Sequence, residues 1–139
     1  MTVDVHVVTP EREVWSGEAD ELIARGVDGE VGILGGHAPL LVQLAIGPLR
    51  MLADGGETVA VVDGGFLHVA TEAGVTRADV LATHAELAGE IDVDAARRRL
   101  EEWEGRTDEE DDERAKAEIA KAMARIAIAG EVSAARPGA

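Results

Sequence analysis

The chain has no cysteine, which removes disulfides, thiolate nucleophiles and the usual zinc-finger spacings. It has no tyrosine, one phenylalanine and two tryptophans, so the aromatic platforms on which single-strand nucleic-acid binders stack bases are missing. Basic side chains are scarce as well, 13 against 28 acidic ones, and the resulting net charge of -15 repels phosphate backbones. Nucleic acid is not an expected partner. No apolar run approaches the roughly 20 residues needed to span a bilayer. The segment Met1-Thr2-Val3-Asp4 lacks the basic and apolar regions of a signal peptide. The expectation is a soluble chain that meets a membrane only through a partner, without inserting into it. Its 139 residues suffice for one ordinary domain, or a small domain with an appendage, and for a core without covalent staples.

Two periodicities divide the chain. From residue 1 to about 86 the pattern is β. Val3, Val5 and Val7 alternate with Asp4 and His6, the period of a half-buried strand, and Pro10 ends that strand because it cannot donate to a ladder. Asp54-Gly55-Gly56 reads as the turn of a hairpin between residues 48–53 and 58–62. Asp63-Gly64-Gly65 and Glu72-Ala73-Gly74 read as breaks before strands at 66–70 and 75–81. Short strands punctuated by glycine predict an all-β sandwich or barrel.

The second part, residues 91–130, has helical periodicity. Val93, Ala96, Leu100 and Trp103 form one stripe, with Asp92 as N-cap and Gly105 as stop. Ala115, Ile119, Ala122, Ile126 and Ala129 form a second, alanine-rich stripe that Gly130 is expected to end, leaving 131–139 as a tail. The short connection predicts an antiparallel helical hairpin. Between the stripes, residues 101–113 hold nine carboxylates against the lone Arg106. That run reads as a solvated, self-repelling segment, since it lacks the ordered ligands and glycine of a calcium loop.

Residues 29–41 read Gly-Glu-Val-Gly-Ile-Leu-Gly-Gly-His-Ala-Pro-Leu-Leu, a tight glycine-rich turn feeding an apolar strand. It is no phosphate-binding loop, because no Lys-Ser/Thr follows the last glycine. His37 has no serine or carboxylate beside it at triad spacing, so a structural or interface role suits it better than general-base work.

That stretch resembles the signature of the epsilon subunits of F-type ATP synthases, Gly-Glu-x-Gly-Ile-x-Pro-Gly-His-Ala-Pro-Leu-Leu, with Gly35 standing where the family has proline. Gly64-Gly65-Phe66-Leu67-His68-Val69 is similar to the family's Gly-Gly-Phe/Ile-Leu-Glu-Val strand, and Val80-Leu81-Ala82 to its Val-Leu-Ala ending. Lys121-Ala122-Met123-Ala124-Arg125 resembles the basic-Ala-Met-x-Arg segment of its last helix. The resemblance covers nearly the whole chain in order. It implies an N-terminal all-β sandwich (1–86) followed by a C-terminal antiparallel α-helical hairpin (91–130). It also implies a non-catalytic rotor subunit that clamps the gamma stalk onto the c-ring, peripheral to the cytoplasmic face of the bacterial plasma membrane. By the same resemblance the hairpin extends toward the alpha/beta hexamer and brakes ATP hydrolysis. The loop from Glu30 to His37 would touch the c-ring. Basic residues Arg114, Lys116, Lys121 and Arg125 would meet an acidic segment of the beta subunit.

The resemblance implies no cofactor beyond weak regulatory ATP. The family's nucleotide motif, Ile/Leu-Asp-x-x-Arg-Ala, fits in two registers. Ile91-Asp92 puts Ala95 where arginine belongs. Val93-Asp94 restores Arg97 but ends on Arg98. In the second register Asp94, Arg97, Lys121 and Arg125 would form the site, with Glu104 reversing the charge of a further family arginine. The competing reading makes Asp94–Arg97 a helix-surface ion pair. Two readings from other classes stand beside the rotor subunit. A free β-sandwich binding module leaves the order of residues 29–41 unexplained. A metal enzyme or hydrolase using His6, His37, His68 or His84 has only singly placed histidines to work with.

Overall fold

The computed structural model describes residues 1–106 and 112–135. Residues 107–111, in the middle of the acidic run, and residues 136–139, with Pro137 and Gly138, lie outside the described residues. The chain divides into two compact units, Met1–Leu87 and Ala88–Ala139.

The first unit is an eight-stranded, sandwich-like sheet. Its strands are β1 (Val3–Val8), β2 (Glu13–Ala19), β3 (Glu21–Gly26), β4 (Gly29–Leu34), β5 (Leu40–Ala53), β6 (Gly56–Glu72), β7 (Val75–Leu81) and β8 (Ala85–Leu87). Their order is β2-β1-β7-β6-β5-β3-β4, with β8 paired on β6. β1 and β7 are parallel and the other pairs antiparallel.

Two long strands turn this one sheet into two layers. In β5 the inward side chains switch phase, from Leu40, Val42 and Leu44 to Leu49 and Met51. The pairing with β3 jumps at the same place, Ala24 facing Leu49 while Gly26 faces Leu44. Extra residues inserted in one strand bend it and increase its twist. β6 switches at the same level, from Ala60 and Val62 to Leu67 and Val69, through Gly64 (φ +83°) and Gly65 (φ +125°). A side chain at Gly65 would collide with the carbonyl oxygen of Leu81. The glycines at 64 and 65 therefore do not break the chain, as their composition suggests; they bend one continuous strand. The core between the layers is aliphatic, led by Val3, Val5, Val7, Leu22, Ile33, Leu49, Met51, Leu67 and Val80. Two of the three two-residue hairpin turns have left-handed residues, Asp54-Gly55 and Ala73-Gly74, the geometry that matches strand twist.

Residues 29–34, expected as part of a turn, are the edge strand β4, and the turn proper is confined to Gly35 and Gly36. Ile33 is buried in β4 while Glu30, Gly32 and Leu34 point out.

The second unit opens with a 3-10 turn, Ala88–Glu90, followed by α1 (Val93–Glu104) and α2 (Asp112–Ala135). Asp92 caps α1, its Oδ1 accepting from the Ala95 amide at 3.0 Å, and Gly105 ends it. α2 runs through Gly130 rather than ending there. Gly130 keeps out of the left-handed region, and in a 24-residue helix its propensity cost of about 1 kcal/mol is tolerated. The two helices pack together. Arg99 pairs with Glu118 at 3.2 Å, and the Arg114 guanidinium lies 5.3 Å from the centre of the Trp103 ring. Four steps forward in α1 match four steps back in α2, so the pair is antiparallel. Ala96, Trp103 and Ala122 of the expected stripes are buried. Ile128, which lies off the second stripe, is buried too.

Candidate partner-binding site

The face of β5, β6 and β7 turned away from the core carries large apolar side chains. Leu41 is 67% exposed, Phe66 50% and Leu81 55%. Phe66 sits directly opposite Leu81 across the β6–β7 pairing, and Gln43 opposite Phe66 across β5–β6, which puts Leu41 on the diagonal to Phe66, within reach of an aromatic ring. Val8 follows Leu81 on β1. Beside this apolar row runs a polar one, where His68 faces Asp79 and Asp79 faces His6. Arg77 grips both oxygens of Asp79 from Nε at 3.1 Å. The His6 ring lies between carboxylates, Nε2 at 3.1 Å from Asp4 and Nδ1 at 3.5 Å from Glu13. Sequence reading passes over this face because neighbouring pairs such as Leu40-Leu41, Phe66-Leu67 and Val80-Leu81 are apolar at both phases. Only the register says which member points outward.

His37 lies apart from this face, in the turn between β4 and β5, whose backbone is bonded by Thr71 and Thr76 from the core-facing side of β6 and β7. Its amide donates to the Leu34 carbonyl at 3.1 Å. Its Nδ1 is 2.7 Å from the Ala38 carbonyl, which can only accept, so the proton of a neutral ring belongs on Nδ1 and Nε2 is presented as an acceptor. Glu30, grouped with His37 by sequence, is instead at the opposite end of β4, across from Arg25. At Gly35, the departure from the family signature, an added Cβ would come within 2.7 Å of the Met1 carbonyl. Met1 thus occupies the space that a side chain at position 35 would need.

On the helices, Asp94 and Arg97 approach to 3.7 Å across one turn and are mostly exposed. Lys121 reaches Glu118 at 3.3 Å, and Arg125 donates to the Lys121 carbonyl at 3.1 Å. The antiparallel register sets position 94 level with 123 and 97 level with 120, so these four side chains occupy one stretch of the pair. Lys116 bonds Asp112 at 3.2 Å and Glu113 at 3.6 Å. Arg106 stacks over the Trp103 ring at 4.1 Å from its centre, the ring that Arg114 approaches to 5.3 Å. Glu118 bridges the helices. Its burial would raise its pKa, but the bonds and charges of Lys121 and then Arg99 outweigh that and hold the carboxyl below its ordinary value of 4.5. Among the described residues, no group of three or more His, Asp or Glu side chains is placed to hold a metal ion, and no helix is long and apolar enough to cross a membrane.

Residues 2–88 match the family model for the beta-sandwich domain of the ATP synthase delta/epsilon chain. The ATP synthase epsilon chain of Thermobifida fusca is 43% identical over 132 residues, covering 93% of this chain and 94% of the relative. That of Streptomyces coelicolor is 41% identical over 128 residues, covering 90% and 100%. Among solved structures, a chain of the Euglena gracilis mitochondrial ATP synthase superposes with a TM-score of 0.74 at 23% identity, over 96% of this chain and 81% of that one. A chain from the central stalk and c-ring of the Tetrahymena thermophila enzyme gives 0.64 at 15%, over 93% and 97%. With a β-sandwich, two following helices and relatives matched along almost their full length, the chain belongs to the ATP synthase epsilon chain family.

Proposed function

We propose that this chain is a non-catalytic subunit of the central stalk of a proton-translocating ATP synthase, docking through the outer face of β5, β6 and β7. The observation that carries this reading is the contiguous exposure of Leu41, Phe66 and Leu81. Exposed apolar side chains that adjoin one another, rimmed by charge, mark a surface that is covered in an assembly. The gamma subunit is the partner assigned to it, and His37, in the turn between β4 and β5, is assigned to the c-ring. Glu30, exposed at the far end of β4, is assigned to a separate c-ring contact. The chain is held at the cytoplasmic face of the bacterial plasma membrane by these partners alone.

The helical unit is assigned the regulatory role. Residues 91–139 hold nine basic side chains against thirteen acidic, whereas residues 1–90 hold four against fifteen. Arg114, Lys116, Lys121 and Arg125 are proposed to meet an acidic surface of the beta subunit and slow ATP hydrolysis. Their present partners lie on the helices themselves, so contact with beta would exchange these bonds rather than fill vacancies. Weak ATP binding by Asp94, Arg97, Lys121 and Arg125 is the accompanying proposal, supported by their common level on the helix pair. Calorimetry with ATP tests it: Arg97→Ala should abolish any binding, and tight binding unaffected by that change would remove Arg97 from the site.

The docking assignment is tested by mixing the purified chain with gamma from the same enzyme. Leu41→Asp and Phe66→Asp should each weaken the complex at least about tenfold, since a buried charge without a partner costs several kcal/mol. Unchanged affinity in both variants would refute the assignment.

A further inference from the structure

The turn that carries His37 is tied down from beneath by two threonines, and their hydroxyls form a directional chain. Thr71 and Thr76 sit opposite each other at the end of the β6–β7 pairing, and Thr76 is 1% exposed. Thr71 Oγ1 donates to the His37 carbonyl at 2.8 Å. The two hydroxyls lie 2.8 Å apart. A hydroxyl has one proton, and that of Thr71 is already committed to His37. Thr76 therefore donates to Thr71. The remaining capacity of Thr76 Oγ1 is to accept, and the Gly36 amide donates to it at 2.7 Å. Every donor in the chain thus has an acceptor. The turn backbone enters it twice, once through Gly36 as donor and once through His37 as acceptor. Gly36 has φ +87°, a conformation with many alternatives for glycine, so bonds to its amide and to its neighbour's carbonyl remove freedom the residue would otherwise keep.

We propose that Thr71 and Thr76 are positioning residues for partner binding: their hydroxyl chain pre-organises the His37 turn and so sets the affinity of the chain for its stalk partners. This rests on the reading of His37 as a contact residue. Neither threonine needs to touch the partner. Holding a contact element in its bound shape lowers the ordering cost of association, and hydroxyls provide this where a methyl of equal size cannot.

The test uses the full chain in three variants, Thr76→Val, Thr76→Ser and Thr71→Val. Two readouts are amide hydrogen exchange at Gly36 and His37, and affinity for a gamma–c-ring complex from the same enzyme. Thr76→Val, which keeps the shape and deletes the hydroxyl, should speed exchange at Gly36 at least about tenfold and weaken binding about fivefold or more, the scale of one lost hydrogen bond. Thr71→Val, at a less buried position, should loosen His37 and weaken binding in the same sense. Thr76→Ser should restore both readouts, which a merely space-filling role does not predict. Unchanged exchange in both valine variants overturns the hydroxyl chain. Faster exchange with unchanged affinity overturns its role in binding, and His37→Ala then separates the two levels. If His37→Ala weakens binding, the positioning proposal alone has failed. If it does not, the reading of His37 as a contact has failed as well.

Discussion

A methyl group added at Gly65 would meet the Leu81 carbonyl oxygen in a backbone conformation, φ +125°, that L residues avoid. Gly65→Ala should therefore destabilise the β unit by about 2–3 kcal/mol or more, measured by urea unfolding of the full chain; a loss below about 0.5 kcal/mol would show that β6 bends without it. Gly130→Ala is the control at the same scale. It has open space around its Cβ and should stabilise by about 0.4–1 kcal/mol. Glycine was legible in the sequence as punctuation, but its role was not. The same residue type makes a left-handed turn at Gly55 and Gly74, a strand bend at Gly65 and an ordinary helix position at Gly130. What distinguishes these is the backbone around each, which composition does not contain.

Among the elements, the amphipathic patterns carried most of the information. The valine alternation of β1, the N-cap Asp92 and the stop Gly105 lie where local physics puts them, because capping and period-2 burial depend on residues within a few positions. β5 and β6 were less legible. Their phase switches depend on pairing with strands far away in sequence, so each reads as two short strands although it is one long one. The helix pair adds a clasp that no stripe announces, Arg99–Glu118–Lys121. Because folding lowers the Glu118 pKa, its ionised form stabilises the folded state above the ordinary glutamate value, and that contribution is lost as pH falls through the folded-state value. Glu118→Gln should cost up to about 1 kcal/mol at pH 7 and nothing in acid, followed by the helical circular dichroism signal on heating. A deficit that persists in acid, where Glu118 is protonated in the folded and unfolded states alike, would assign the effect to packing instead.

For the molecule as a whole, the division at Leu87/Ala88 predicts that a chain ending at residue 87 folds alone. Its core is aliphatic and drawn from the β unit's own strands. The fragment should melt cooperatively; a gradual transition would mean that the helices complete its core. In the assembled enzyme, deleting residues 91–139 should raise ATP hydrolysis while leaving assembly intact. Added salt should do part of the same by screening the basic side chains of α2. Inhibition is expected to be partial, because the acidic residues 101–113 approach the same surface with the wrong sign. Hydrolysis no faster in the truncated enzyme than in the intact one would remove the helices from regulation.

The family was written in the order of a few local motifs, and so were the fold class, the change of period and the caps of α1. Such features follow from neighbouring residues, and their physics is complete within a short window. Tertiary structure decided the rest. Which apolar member of Leu40-Leu41, Phe66-Leu67 and Val80-Leu81 faces solvent depends on a register set by strands distant in the chain. That the His37 turn is anchored by Thr71 and Thr76 depends on β6 and β7 closing beneath it. A strand position displaced by one residue exchanges core for surface, so a docking face made from alternate positions exists only once long-range pairing has chosen the phase.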